Sequence, residues 1–185
     1  MGFPKPLLRL NGETFLAHIA RSMLMAVERL IIVLGAQADR VAAAVPTDDR
    51  ITVVDNSDYR MGQLSSIKRG LSAIGSEAGA ALLHLVDHPT VLPATFSRLI
   101  TEYQKSGKPI LVVGCGARRG HPVLFDRSVF DELARAPMDV GARAVVKAND
   151  ERVLYIDVDD PGVVLDLDTP DDLVRAGLPS PVASQ

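Results

Sequence analysis

Carboxylates that close apolar runs are the first residues in this chain whose type and placement could do chemistry. The run Ala81-Leu82-Leu83-His84-Leu85-Val86-Asp87 ends in an acid followed by His88-Pro89, and Val163-Val164-Leu165-Asp166-Leu167-Asp168 delivers two more. In open α/β sheets, ligands bind beyond the carboxyl ends of the strands. Acids from two separate strand ends suit one Mg2+, which prefers oxygen ligands, keeps several waters and commonly needs one or two carboxylates besides substrate phosphates. Each acid also has an ordinary explanation: Asp87 starts a turn before Pro89, and Asp168 belongs to a helix start at Thr169. Their joint position at strand ends favours a function.

Four further groups stand out. Met1-Gly2-Phe3-Pro4-Lys5-Pro6 is a stiff loop that presents a single cation, Lys5, between two prolines. Gly62-Gln63-Leu64-Ser65-Ser66-Ile67-Lys68 opens a helix with hydroxyls and backbone donors, a place for an anion or a base edge, or simply a helix cap with a solvated basic face. Arg118-Arg119-Gly120-His121-Pro122 reads as a loop before a strand, where arginines can grip a phosphate or a pterin-like ligand, although an exposed basic loop is equally ordinary. Asp139-Val140-Gly141-Ala142-Arg143 offers one more guanidinium. His18 and His84 lie in apolar segments and read as core residues, as does Cys115. No Cys/His spacing suggests zinc, and no nucleophile-base pairing can be argued.

The elements that must position these groups are short apolar runs alternating with helical periodicity. Residues 30–35, 51–56, 81–87 and 109–115 show little in-out alternation, the pattern of strands buried on both faces. Residues 121–125, 152–160 and 163–168 are further strand candidates. Helices are expected over 13–27, 63–74, 93–103, 128–135 and 140–150. A last helix is capped by Thr169 with Pro170 at its first position. Alternation of this kind gives an α/β fold, with a mostly parallel sheet and helices on both faces.

At 185 residues and 47% hydrophobic content, the chain supports one domain, taken as residues 1–177 with a loose tail over 178–185. A net charge of -3 argues against a nucleic-acid partner. A single cysteine excludes an internal disulfide, and no apolar run is long enough for a bilayer span. With no signal-like start, the expected address is the cytoplasm.

Taken together, PKPLL, GQLSSIKRGL, LVDHP, RRGHPVLF, DVGAR and LDLDTPDDL resemble, in order and spacing, the MobA-like nucleotidyltransferases, in particular their molybdenum-cofactor cytidylyltransferase branch. The resemblance implies a Rossmann-like three-layer α/β/α fold of the nucleotide-diphospho-sugar transferase (GT-A) type. It further implies transfer of CMP from CTP to a molybdopterin-type cofactor with release of pyrophosphate. On that basis Asp87 would be a Mg2+ ligand completed by Asp166 or Asp168, and Lys5 would neutralise triphosphate charge. Ser65, Ser66 and Lys68 would lie near nucleotide and cofactor. Arg119, His121, Asp139 and Arg143 would face the pterin phosphate, and a client molybdoenzyme could receive the product. Members of this family open with a strand and a glycine-rich loop that wraps the nucleotide; this chain starts at the last two letters of that pattern, Met1-Gly2. Gly2 is therefore the residue of the loop expected at the nucleotide, with the first strand and most of the loop expected to be missing. Alternatives are another nucleotidyltransferase, GTP-using or nucleotide-sugar forming, and a non-catalytic cofactor-binding relative.

Overall fold

The computed structural model describes residues 4–168, 170–175 and 177. Gly2, the Thr169 cap and the 178–185 tail lie outside them. The chain begins with a 3-10 turn over Lys5–Leu7 and a small hairpin, β1 (Arg9–Leu10) and β2 (Glu13–Thr14). Its two connecting residues, Asn11 and Gly12, both have positive φ, 52° and 86°, as the Asn-Gly turn that matches strand twist requires. The hairpin uses residues expected to begin the first helix, so α1 spans Phe15–Met23, and Ala17 N donates to the Thr14 hydroxyl that caps it.

Strand β3 (Leu30–Leu34) leads through the short α2 (Ala38–Ala42) to β4 (Ile51–Asp55), and the two strands pair in parallel with Leu30 opposite Ile51. Next come α3 (Gln63–Leu71), β5 (Ala80–Leu83), α4 (Pro93–Ser106), β6 (Ile110–Cys115) and β7 (Arg118–Asp126). Helix α4 starts with Pro93 at its first position and runs three residues past the expected end at 103, to Ser106, with Gly107 at φ 64° just beyond. The chain ends with α5 (Phe130–Arg135), α6 (Arg143–Ala148), β8 (Val153–Asp157) and α7 (Pro170–Arg175).

The main sheet has the order β5-β7-β6-β8, with β8 parallel to β6 and β7 antiparallel to both neighbours, so the sheet is mixed. Strand β7 corrects the expectation of a loop at Arg118-Arg119-Gly120. Gly116 at φ 59° and Ala117 close a tight turn, and Cys115 pairs with Arg118 and Gly114 with Arg119, so the arginines extend a hairpin. A second correction concerns residues 163–168. Pro161–Val164 is a 3-10 turn and the following residues are irregular, so Asp166 and Asp168 sit on a loop rather than at a strand end. Asp160 holds that turn: buried, it accepts from Gly162 N at 3.0 Å, Leu92 N at 2.9 Å and the Thr95 hydroxyl at 2.6 Å.

The sheet is covered on both faces. Leu111, Val113, Leu124 and Ile156 pack with α1 and α4 through Leu16, Met23, Phe96 and Leu99. Their alternates Ile110, Val112, Val123, Phe125 and Val153 pack with α3, α5 and α6 through Leu64, Ile67, Leu133 and Val145. That alternation explains why the strands read as unbroken apolar runs: every side chain of β6 from Ile110 to Val113 is buried. Each contributes roughly 1.5–3 kcal/mol by leaving water. Leu8, Leu10 and Phe15 pack with Leu167 and Leu173, which brings the opening loop against the acid-bearing segment.

Candidate active site

Asp87 lies four residues beyond β5, and its segment is pinned to the 161–168 loop at several points. Leu167 N donates to the Asp87 carbonyl at 2.9 Å. Gly162 packs so closely on Thr90 that an added Cβ would stand 2.6 Å from the Thr90 carbonyl oxygen. Between these contacts sits His88, whose side chain is 5% exposed. Its Nε2 is 3.0 Å from Asp166 Oδ1 and 3.9 Å from Asp87 Oδ1, while Nδ1 is 3.3 Å from the Gly162 carbonyl. Both Nε2 contacts are ion-pair distances and neither is a hydrogen bond. Asp87 Oδ1 is therefore buried without a hydrogen-bond partner, whereas the Asp166 side chain is half exposed.

A buried carboxylate oxygen without a donor is costly unless something positive completes it. Asp87 and Asp166 face one another around His88 with one oxygen orphaned and the other reaching solvent, which fits a divalent ion that also carries water and substrate phosphate. Among the described residues no group of three or more His, Cys, Asp or Glu stands ready to hold a metal. The third expected acid, Asp168, is turned to Lys5 in an ion pair, so the acids form a pair plus a charge-compensated neighbour rather than a triad. Lys5 also lines a cavity of about 530 Å³ together with Pro4, Pro6, Leu34, Gly35, Gln37 and Val86. Val86 adjoins Asp87, so the cavity opens beside the carboxylates at the end of β3, with space on the scale of a small-molecule site.

Two more histidines stand against His88. The His84 ring lies 6.3 Å from it and meets Phe96 edge to face at 5.1 Å, and the His121 ring lies 5.4 Å away. Burial lowers the His84 pKa to about 3 and that of His121 to about 4, with nearby imidazoles adding to the effect. Both rings are neutral in the fold at pH values where the unfolded chain, near 6.5, already takes up protons. Between pH 6.5 and about 4 the unfolded state thus binds more protons than the folded one, so stability falls as pH is lowered through that window and is unaffected by these groups above it. The expected result is a melting temperature that declines as pH is lowered from 6.5 to 4.5, with a shallower decline in His84→Phe. Equal slopes for the two proteins would exclude His84 as a source.

The remaining expected residues divide into separate places. Ser65 and Ser66 both accept from Asn56 Nδ2, at 2.9 and 3.0 Å, and the Ser65 hydroxyl donates to the Gly62 carbonyl at 2.8 Å. They knit the end of β4 to α3. Lys68 donates to the Ala136 carbonyl at 3.0 Å, tying α3 to the segment that carries exposed Asp139 and Arg143. Arg119 lies over the Tyr155 ring, 5.0 Å from its centroid, while Arg118 reaches the Val164 carbonyl at 2.8 Å and braces the acid-bearing loop. His18 is a correction: it stands half-buried between Glu13 and Arg21 rather than in the core. His88, Asn56 and Asp160 were not singled out by sequence as functional or structural anchors. Their partners are far away along the chain, and only the Asp87-His88-Pro89 step hinted at the first.

A Rossmann-like α/β/α sheet carrying paired acids beside a cavity at its strand ends describes a nucleotide-handling transferase, and the comparisons agree. Residues 1–153 match the MobA-like NTP transferase domain, and the chain belongs to that family. It is 27% identical over 176 residues to the molybdenum cofactor cytidylyltransferase of Escherichia coli (strain K12), covering 95% of this chain and 88% of that protein. The crystal structure of Rv0371c from Mycobacterium tuberculosis H37Rv superposes with a TM-score of 0.77 at 32% identity, covering 95% of this chain and 90% of that one. A second structure of Rv0371c, in complex with manganese, gives 0.72 at 33% identity, with coverages of 94% and 91%. Among the described residues, no helix is long and apolar enough to cross a membrane.

Proposed function

We propose that the protein is a Mg2+-dependent cytidylyltransferase that transfers CMP from CTP to the terminal phosphate of a molybdopterin-type cofactor. The observation that carries the reading is the buried, donor-less Asp87 Oδ1 facing Asp166 across His88. Likeness to the E. coli cytidylyltransferase supports the choice of base and acceptor, and the manganese complex of Rv0371c supports a divalent ion. Asp87 and Asp166 would hold that ion, whose positive charge would offset the charge of the triphosphate and of the departing pyrophosphate.

The chain's own residues supply position and charge. The opening loop puts Lys5 at the cavity beside Asp87, where its ammonium can exchange the Asp168 carboxylate for a substrate phosphate. An oxygen of the acceptor phosphate attacks the α-phosphorus of CTP as the bond from that phosphorus to the bridging β-phosphate oxygen breaks, and the electron pair leaves with pyrophosphate. Such transfer depends on in-line alignment and charge stabilisation rather than on a covalent protein nucleophile. Arg119, His121, Asp139 and Arg143 are assigned to the acceptor side. We place the reaction in the cytoplasm, where nucleoside triphosphates are held.

Calorimetric titration of the protein with CTP in the presence of Mg2+, with GTP as comparison, tests the reading. CTP-selective, Mg2+-dependent binding is expected. Preference for GTP would move the assignment to another nucleotidyltransferase, and no binding by folded protein would support a non-catalytic relative.

A further inference from the structure

We infer that Tyr155 is a positioning residue that holds Arg119 ready for the phosphate of the acceptor, an inference that rests on the assignment of Arg119 to the acceptor side. The two side chains come from strands that are not neighbours: β7 carries Arg119, β8 carries Tyr155, and β6 runs between them. Register sets Gly114 of β6 beside Arg119 and Val112 beside Tyr155, so these residues share the face that packs against α3, α5 and α6. Arg119 and Tyr155 lie past the cover of those helices, Arg119 exposed and Tyr155 at 40% exposure. The absent side chain of Gly114 opens the way across β6. A Cβ there would stand 2.5 Å from Arg119 Nη1 and 2.9 Å from its Cδ, so the arginine runs through space that any other residue would fill. Its guanidinium carbon ends 5.0 Å from the centroid of the Tyr155 ring.

The contact leaves the arginine uncommitted. A guanidinium held by a ring face keeps its N–H donors, which lie in its own plane, free at the edges, whereas a carboxylate partner would consume them. Among the described residues none accepts a hydrogen bond from the Arg119 side chain and no carboxylate stands within ion-pair distance of it, although Asp157 occupies the same Gly114 register row. The ring is itself fixed, because the Tyr155 hydroxyl donates to Asp150 Oδ1 at 2.7 Å. Arg119 also stands two residues before His121, whose ring lies 5.4 Å from that of His88, so the held cation borders the segment of the paired acids. A phosphate monoester dianion is the chemistry that an exposed, donor-rich guanidinium fits, and bidentate pairing would fix its orientation. Without the ring, Arg119 would spread over the rotamers of a long exposed side chain, and each binding event would have to select one.

The test asks whether Tyr155 acts through Arg119. KM for the molybdopterin-type acceptor and KM for CTP are measured with Mg2+ in the wild type, in Tyr155→Phe, which keeps the ring, and in Tyr155→Leu, which removes it. Arg119→Ala and the double variant of Arg119→Ala with Tyr155→Leu complete the cycle. In parallel, inorganic phosphate is titrated into each isotope-labelled protein while arginine side-chain Nε–H signals are followed by NMR, a readout that needs no turnover. The Arg119 signal is the one absent from Arg119→Ala. Acceptor KM is expected to rise about two- to fivefold in Tyr155→Leu, the range that an exposed contact between a cation and a ring is worth, and to stay within about 1.5-fold of wild type in Tyr155→Phe. KM for CTP and the melting temperature should hold in both, and phosphate should bind at Arg119 more weakly in Tyr155→Leu by the same factor. In the Arg119→Ala background the leucine change should add nothing further. A wild-type acceptor KM in Tyr155→Leu, or a rise of the same size with Arg119 absent, would overturn the role of Tyr155 and leave the proposed reaction intact. A wild-type protein that transfers no CMP, yet whose Arg119 signal answers phosphate through Tyr155, would overturn the reaction and leave the positioned arginine standing. Failure of both readouts would overturn both. Should Tyr155→Leu fold poorly, Tyr155→Val, suited to an edge strand, takes its place under the same criteria.

Discussion

Asp87→Asn is expected to reduce the rate of nucleotidyl transfer by at least about a thousandfold while leaving the fold as stable as before or slightly more stable. The two halves of this expectation have one cause. Asp87 Oδ1 is buried, accepts no hydrogen bond and lies near a second carboxylate, so within the protein alone it contributes repulsion and unmet desolvation. Replacing it with a neutral amide of the same shape relieves both. What it can contribute is stabilisation of a bound cation and, through that, of charge developing on the transferred phosphate, where loss of one such interaction is worth about 3–4 kcal/mol. A thousandfold drop corresponds to roughly 4 kcal/mol. Measured kcat with CTP and a melting curve on the same preparation decide the matter. A loss of tenfold or less, or a drop in melting temperature that accounts for the lost activity, would remove Asp87 from the chemistry.

What the sequence disclosed follows from which interactions are local. β6 is readable because burial on both faces leaves no polar residue to interrupt the run, and α4 because Pro93 marks its start; β3 buries alternate residues, and β4, equally apolar to the eye, is largely exposed. The amino-terminal hairpin carries an Asn-Gly turn signal, yet Phe15, Leu16 and Ile19 dominate the periodicity around it and drew the helix start forward. β7 was under-read because its first two residues are arginines. They tolerate a strand because the hairpin end is exposed and because Arg119 stacks on Tyr155 while Arg118 reaches Val164. The opposite error occurred at 163–168, where a buried apolar run is a turn and loop whose side chains fill gaps between elements: Val163 packs against α1 and α4, Leu167 against the opening hairpin.

The candidate site divides in the same way. Acids at the ends of apolar runs are visible one at a time, but their meeting depends on His88 and on the buried Asp160, which bonds simultaneously to the 161–164 turn and to the start of α4. Neither residue announces itself, since their partners come from elements far away in sequence. Lys5 illustrates the middle case: its stiff proline-flanked loop was legible, its pairing with Asp168 was not.

Gly120→Ala is expected to be the most destabilising single-methyl addition in the acid-bearing half of the protein, by at least about 3 kcal/mol. An added Cβ would fall 1.7 Å from the Val163 carbonyl oxygen and 2.6 Å from its carbon, so backbone must move on one side or the other. Neither side yields easily. β7 is paired to β6 through Arg119 on one flank of the glycine and to both β5 and β6 at Val123 on the other, while Val163 is fully buried in a turn held by Asp160. At roughly 2–4 °C per kcal/mol for a domain of this size, the melting temperature should drop by about 10 °C. Gly79→Ala is the matched control: Gly79 is exposed, its φ is not in the left-handed region and nothing lies within 4 Å of the new methyl, so stability should hold or rise slightly. Because the turn that must shift leads directly into Asp166, the Gly120 variant should also lose transfer activity at temperatures where it remains folded. A Gly120→Ala protein that melts with Gly79→Ala would mean that the contact between β7 and the 161–164 turn is not the rigid seat on which the second carboxylate rests.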